Sequence, residues 1–154
     1  MAMEPKTLST IARETEQLYQ KLLDHLKKSR DICSTEKERI LIDYIIDREH
    51  WLAVSFNDLE TAQYNGALNT WYYEYTDRHN ILISNPADIP FSQMSYEDIC
   101  EALRQFNADI IDLFTHLKER SECEASTLAT DTLLQHISIN AKQMSQEIAN
   151  QEGF

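Results

Sequence analysis

A chain of 154 residues suits one domain built around one core. Its 26 acidic residues outnumber 14 basic ones, and a formal net charge of −12 disfavours nucleic acid and anionic membrane as partners. Two glycines and three prolines favour long helices, and two glycines cannot build a phosphate-cradling loop.

Apolar residues recur every three or four positions in four long stretches, the period of helices with one buried face. The first spans about 8–28, with the stripe Leu8, Ile11, Ala12, Thr15, Leu18, Tyr19, Leu22 and Leu26. Lys27, Lys28 and Arg30 stand near its C-terminus, where positive charge suits the macrodipole. The second spans about 35–60 and opens on the capping box Thr35-x-x-Glu38. Its stripe is Leu41, Tyr44, Ile45, Arg48, Leu52, Phe56 and Leu59, widened by Ile42, Ile46 and Trp51.

The third helix spans about 95–120 from a Ser95 cap, along Ile99, Ala102, Leu103, Phe106, Ile110, Leu113, Phe114 and Leu117. The fourth spans about 126–150 from Ser126 or Thr127, along Leu134, Ile137, Ala141, Met144 and Ile148. Short polar links at 29–34 and 120–125 make each consecutive pair an antiparallel hairpin. The middle pair is separated by a crossover at about 61–94. Short, long, short is the connection pattern of an all-α four-helix bundle with one crossover, with no sheet expected. The whole of 1–154 reads as a single domain.

The crossover is dense in aromatic and apolar residues, among them Trp71, Tyr72, Tyr73, Tyr75 and Phe91. So many apolar groups must be covered, either by the helices of the same chain or by a second copy. Arg48 is the odd member of its stripe. A buried arginine needs a carboxylate partner, and Glu14, Glu16, Asp109 or Asp112 could supply one.

Two antiparallel hairpins joined by a long crossover resemble the ferritin-like superfamily over nearly the whole chain. The run Leu68-Asn69-Thr70-Trp71, followed by Tyr75, is also similar to an aromatic motif in the crossover of small bacterial proteins of that fold. The resemblance implies a di-iron site formed by a Glu on each of two helices and Glu-x-x-His on each of the other two. This chain departs from that pattern. Asp47-x-x-His50 is the nearest match in helix two, Glu14 and Glu16 are the carboxylates of helix one, and Asp109 and Asp112 those of helix three. In helix four, Leu133 stands three residues before His136, and Glu147 has no histidine partner. Half of the ligand set is missing, so no cofactor is expected. Iron or manganese on a reduced set of Asp47, His50, Glu16 and Asp112 is the alternative.

Asp112 and His116 share a helix face at i, i+4, as an ordinary surface pair also would. Cys33, Cys100 and Cys123 form no C-x-x-C pair. With no apolar signal core in the first nine residues and no run of eighteen apolar residues, they read as packing thiols of a cytoplasmic protein. No nucleophile elbow or dinucleotide fingerprint is present. The expectation is a non-enzymatic protein acting through protein contacts, as a homodimer or with another protein partner. A small-molecule binder at a crossover pocket is the further alternative.

Overall fold

In the computed structural model, which describes residues 6–33, 35–61, 71–72, 85–121 and 123–152, four long helices account for most of the described chain. Helix α1 (Leu8–Arg30) follows an extended Thr7, whose hydroxyl accepts the Thr10 N–H at 3.2 Å. Helix α2 (Glu36–Thr61) begins after Thr35, whose hydroxyl accepts the Glu38 N–H at 3.2 Å. Helix α3 (Tyr96–Glu119) is capped in the same way by Ser95, on the Asp98 N–H at 3.2 Å. Each of these oxygens satisfies one of the N–H groups that a helix start leaves without an intrahelical partner.

Helix α4 (Glu124–Glu152) starts two residues earlier than Ser126. The reason is Cys123, whose Sγ accepts the Ser126 N–H at 3.4 Å while its carbonyl accepts the Ser126 hydroxyl at 3.0 Å. A thiol takes the place that the sequence pattern assigns to a hydroxyl.

The short links make α1 and α2, and α3 and α4, packed antiparallel pairs. Arg30 on α1 is paired to Asp43 on α2. Lys118 on α3 meets Asp131 on α4 at 2.7 Å. Helices α2 and α4 also pack against each other. Arg48 meets Gln143 and Trp51 meets His136, so residue numbers rise on one helix as they fall on the other.

The connection from α2 to α3 is anchored at both ends of α1. At the N-terminal end, β1 (Lys6–Thr7) pairs antiparallel with β2 (Trp71–Tyr72), Lys6 opposite Tyr72 and Thr7 opposite Trp71. This two-residue ladder is a departure from the expectation of no sheet. Toward the other end, His25 is bonded through Nε2 to the Ile89 carbonyl, and its ring lies 5.5 Å from that of Phe91. Two single-turn 3-10 helices, Pro86–Asp88 and Phe91–Gln93, bring the chain to α3 and bury Pro86 and Phe91. The Lys37 ammonium lies 4.4 Å from the Tyr96 ring centroid, so α2 and α3 begin at the same end. The predicted burial of the crossover aromatics Trp71, Tyr72 and Tyr75 lies outside what is described.

One apolar core joins the four helices, with Leu22, Leu26, Leu41, Ile45, Leu52, Ile99, Ile110, Phe114 and Ile137 buried together. The predicted stripe of α3 is almost wholly buried. That of α2 is rotated by one residue at its centre, where Glu49 and not Arg48 faces inward. Among the described residues no helix is long and apolar enough to cross a membrane.

Candidate functional site

Each of the four helices buries a polar side chain at one level of the core. Helix α1 supplies Tyr19, α2 supplies Glu49, α3 supplies Asn107 and α4 supplies Asn140. The helical period explains each position. Glu49 lies between Ile45 and Leu52, Asn107 between Leu103 and Ile110, and Asn140 between Ile137 and Met144, always three or four residues from a buried neighbour. On the α2–α4 seam Glu49 lies between the contact residues Arg48 and Trp51, and Asn140 between His136 and Gln143, so the two fall at the same level.

Three of the four form a chain of long hydrogen bonds. The Tyr19 hydroxyl donates to Asn107 Oδ1 at 3.4 Å, and Asn107 Nδ2 donates to Glu49 Oε1 at 3.3 Å. The Tyr19 ring stands edge-on to Phe106, 5.4 Å between centroids, which fixes its direction. Glu49 Oε2, Arg48 Nε and both amide atoms of Asn140 are buried without a hydrogen-bond partner among the described residues. Each such atom costs on the order of 1–3 kcal/mol.

Burial pushes the Glu49 carboxyl up to about 7, against the opposing effects of the Asn107 hydrogen bond and the Arg48 charge. Burial, helped by the nearby Glu49 charge, holds the Tyr19 phenol well above its usual value. Glu49 is therefore a carboxyl that exchanges its proton near neutrality inside an apolar core. Spacing alone does not single out Glu49, because Arg48 next to it fits the same stripe. Arg48 is half-buried, and its Nη2 donates to the Gln143 amide oxygen at 2.5 Å. The expected buried Arg48–carboxylate pair is thus replaced by an arginine that reaches helix four at an amide. Arg48 has the longer side chain, which can carry its charged end outward; Glu49 cannot.

The metal candidates do not converge. Asp47, His50 and Asp112 are exposed and Glu16 is half-buried. Glu14 is ion-paired to Lys6 at 2.9 Å. Asp109 accepts from Gln105 at 2.8 Å. His116 is buried whereas Asp112 is exposed, and His116 Nε2 accepts from Arg120 Nε at 2.9 Å. Among the described residues no three His, Cys, Asp or Glu side chains are grouped to hold a metal ion. The di-iron centre that the sequence resemblance implies does not fit the buried layer either, since one carboxylate, two amides and a phenol supply neither its four carboxylates nor its two histidines.

Two of the three cysteines are packing residues, while Cys123 caps α4 at the surface. Cys33 and Cys100 are buried, Cys123 is exposed, and none is in a disulfide. The Cys33 thiol donates to the Ser29 carbonyl at 3.1 Å, and burial, then the Glu38 charge, raises its pKa, which opposes reactivity.

Two surface features accompany the layer. The first is an apolar strip where Trp51 and Val54 of α2 and Ile139 of α4 are exposed, Trp51 by 50%, with Ile40 exposed three turns earlier on α2. The Trp51 ring is stacked on His136 at 5.8 Å between centroids and 18° between planes, which holds the indole on the surface in one orientation. The second is a cleft of about 170 Å³ between α3 and α4. A further recess lies where Ile89 of the crossover meets Ala102, Phe106 and Asp109 of α3. Comparison of the chain with protein-family models, with curated proteins and with solved structures finds no match.

Proposed function

We propose that this chain is a ferritin-like four-helix bundle that works through protein contacts, as a homodimer, and not through a di-iron centre. Several observations support the bundle reading. Antiparallel pairing holds for α1 with α2, for α3 with α4, and for α2 with α4. The crossover is pinned near both ends of α1, as a lengthwise connection between parallel helices requires. Such bundles project their metal ligands into the core, and the polar side chains that this chain buries at one level of its core are Tyr19, Glu49, Asn107 and Asn140, a donor set suited to structural hydrogen bonding.

The observation that carries the contact reading is Trp51. A tryptophan half in water, braced by a histidine and flanked by exposed Val54 and Ile139, is a typical anchor for a protein interface. A strip of this kind rarely persists on a monomer without a use. Helices α2 and α4 are antiparallel neighbours, so a two-fold axis crossing their seam would set the strip of one copy on the same strip of the next.

Sedimentation velocity over a hundredfold concentration range tests this reading. The expected result is a dimer for the native chain. Trp51→Glu and Ile139→Glu should each give a monomer with unchanged helical circular dichroism. A native chain that remains monomeric at the highest concentration would overturn the proposal, as would a dimer indifferent to both substitutions.

A further inference from the structure

We propose that the cleft between α3 and α4 is a binding site for one small neutral ring compound that bears a single hydroxyl, with the hydroxyl held by the Asn107 amide. The walls are apolar: Leu103 and Ile111 from α3, Met144 and Ile148 from α4. Between them stand Ala108 on α3 and Ala141 on α4. Their short side chains leave open the space that a larger residue in either place would fill.

The volume sets the ligand size. An apolar cavity of about 150 Å³ accepts a single benzene ring, and this cleft measures about 170 Å³. A ring with one substituent matches that volume.

Asn107 sets the ligand chemistry. It lines the cleft and is 4% exposed. Its amide has two N–H donors and two acceptor lone pairs. One donor goes to Glu49 and one lone pair to the Tyr19 hydroxyl. Among the described residues one donor and one acceptor remain, and a hydroxyl is a small neutral group that can use either. A charged head group is disfavoured because the inner wall offers no counter-ion at Asn107 and burial of an unpaired charge is costly. Arg104, on the rim, is engaged by Glu101. The site lies on the α3–α4 seam and stands independently of a dimer built on α2 and α4.

Phenol and toluene are suitable probes because they are nearly the same size and shape, with a methyl in toluene where phenol has its hydroxyl. Binding is followed by amide chemical-shift titration of the native chain. For seven heavy atoms, an efficiency between that of the best tiny ligands and that of drug-sized ones corresponds to a dissociation constant of order 1 mM for phenol. Toluene is expected to bind about tenfold more weakly. Ala141→Leu fills the middle of the cleft and should weaken phenol binding by at least about tenfold. Ser145→Leu, at an exposed position on the same cleft, should do likewise and decides the matter if Ala141→Leu does not fold. No saturable phenol binding at solubility-limited concentrations would overturn the proposal. So would binding that survives Ser145→Leu unchanged, which would place phenol elsewhere. Equal affinity for phenol and toluene would overturn the assignment to Asn107.

Discussion

Replacing Glu49 with Gln removes one ionisable group from the core and keeps its shape. The folded protein holds the Glu49 proton up to about pH 7, against an ordinary value of 4.5. Below pH 4.5 the carboxyl is protonated in both folded and unfolded chains and carries no penalty. Between 4.5 and 7 the unfolded chain releases the proton while the folded chain retains it, so stability falls as pH rises. Above 7 the folded chain must ionise a buried carboxylate, and the full penalty applies. A difference of about 2.5 units at 1.36 kcal/mol each is on the order of 3 kcal/mol. Glu49→Gln should therefore stabilise by about 1 kcal/mol at pH 5 and about 3 kcal/mol at pH 8, from the linkage relation. Urea unfolding of both proteins at pH 5, 6, 7 and 8 measures this. The difference between them cancels the background titration of the other 25 acidic residues, which both retain (26 less Glu49). A difference that stays flat within about half a kcal/mol across that range would show that Glu49 does not retain its proton, and the buried-layer argument would fail.

The helices are legible in the sequence because their stripes and caps are local. Thr35 and Ser95 open α2 and α3 where a hydroxyl precedes a periodic run, and the chain from Leu8 needs only its spacing. Which face of α2 turns inward is not local. Between Ile45 and Leu52 both Arg48 and Glu49 stand at helical distance from each apolar neighbour, so spacing alone does not choose between them. The choice depends on groups that arrive from far along the chain: Asn107, 58 residues on, is bonded to Glu49, and Gln143, 95 residues on, is bonded to Arg48. A reader who places the arginine in the core and seeks it a carboxylate is solving the right problem with the wrong member of the pair.

Asn107 and Asn140 escape notice for a related reason. Neither interrupts a stripe; each replaces one apolar residue in it, and an isolated asparagine at a helical position reads as surface until its neighbours on both sides are seen to be buried. The signal is present in Ile137-x-x-Asn140-x-x-x-Met144, where the three- and four-residue steps put the amide in line. The start of α4 is hidden because Cys is a rare cap, and Ser126 nearby is the conventional one. The missing Glu-x-x-His of helix four, by contrast, is plain in the sequence whatever the orientation of that helix. The reduced metal set is not brought together, because Asp47, His50 and Asp112 lie on outward faces.

Three further predictions follow from single side chains. Asn140→Leu replaces a buried amide that has no partner among the described residues with an apolar group of similar size, so it should stabilise by about 1 kcal/mol; thermal unfolding that shows a loss above 1 kcal/mol would mean the amide is satisfied in solution. Cys123→Ala should cost about 1 kcal/mol by removing the α4 cap, whereas Cys123→Ser should be neutral, since its hydroxyl can accept the same N–H; equal losses in urea unfolding would show that the sulfur is not capping. Arg48→Ala removes one bond to Gln143 and the cation that partly offsets Glu49. The bond is worth about 1 kcal/mol near the surface. The offset matters only where Glu49 is ionised, so the loss should grow from pH 5 to pH 8 and should stop growing in a Glu49→Gln background. A loss above 3 kcal/mol at every pH, unchanged by Glu49→Gln, would instead mark Arg48 as the buried cation of the core and would reverse the assignment of the two residues.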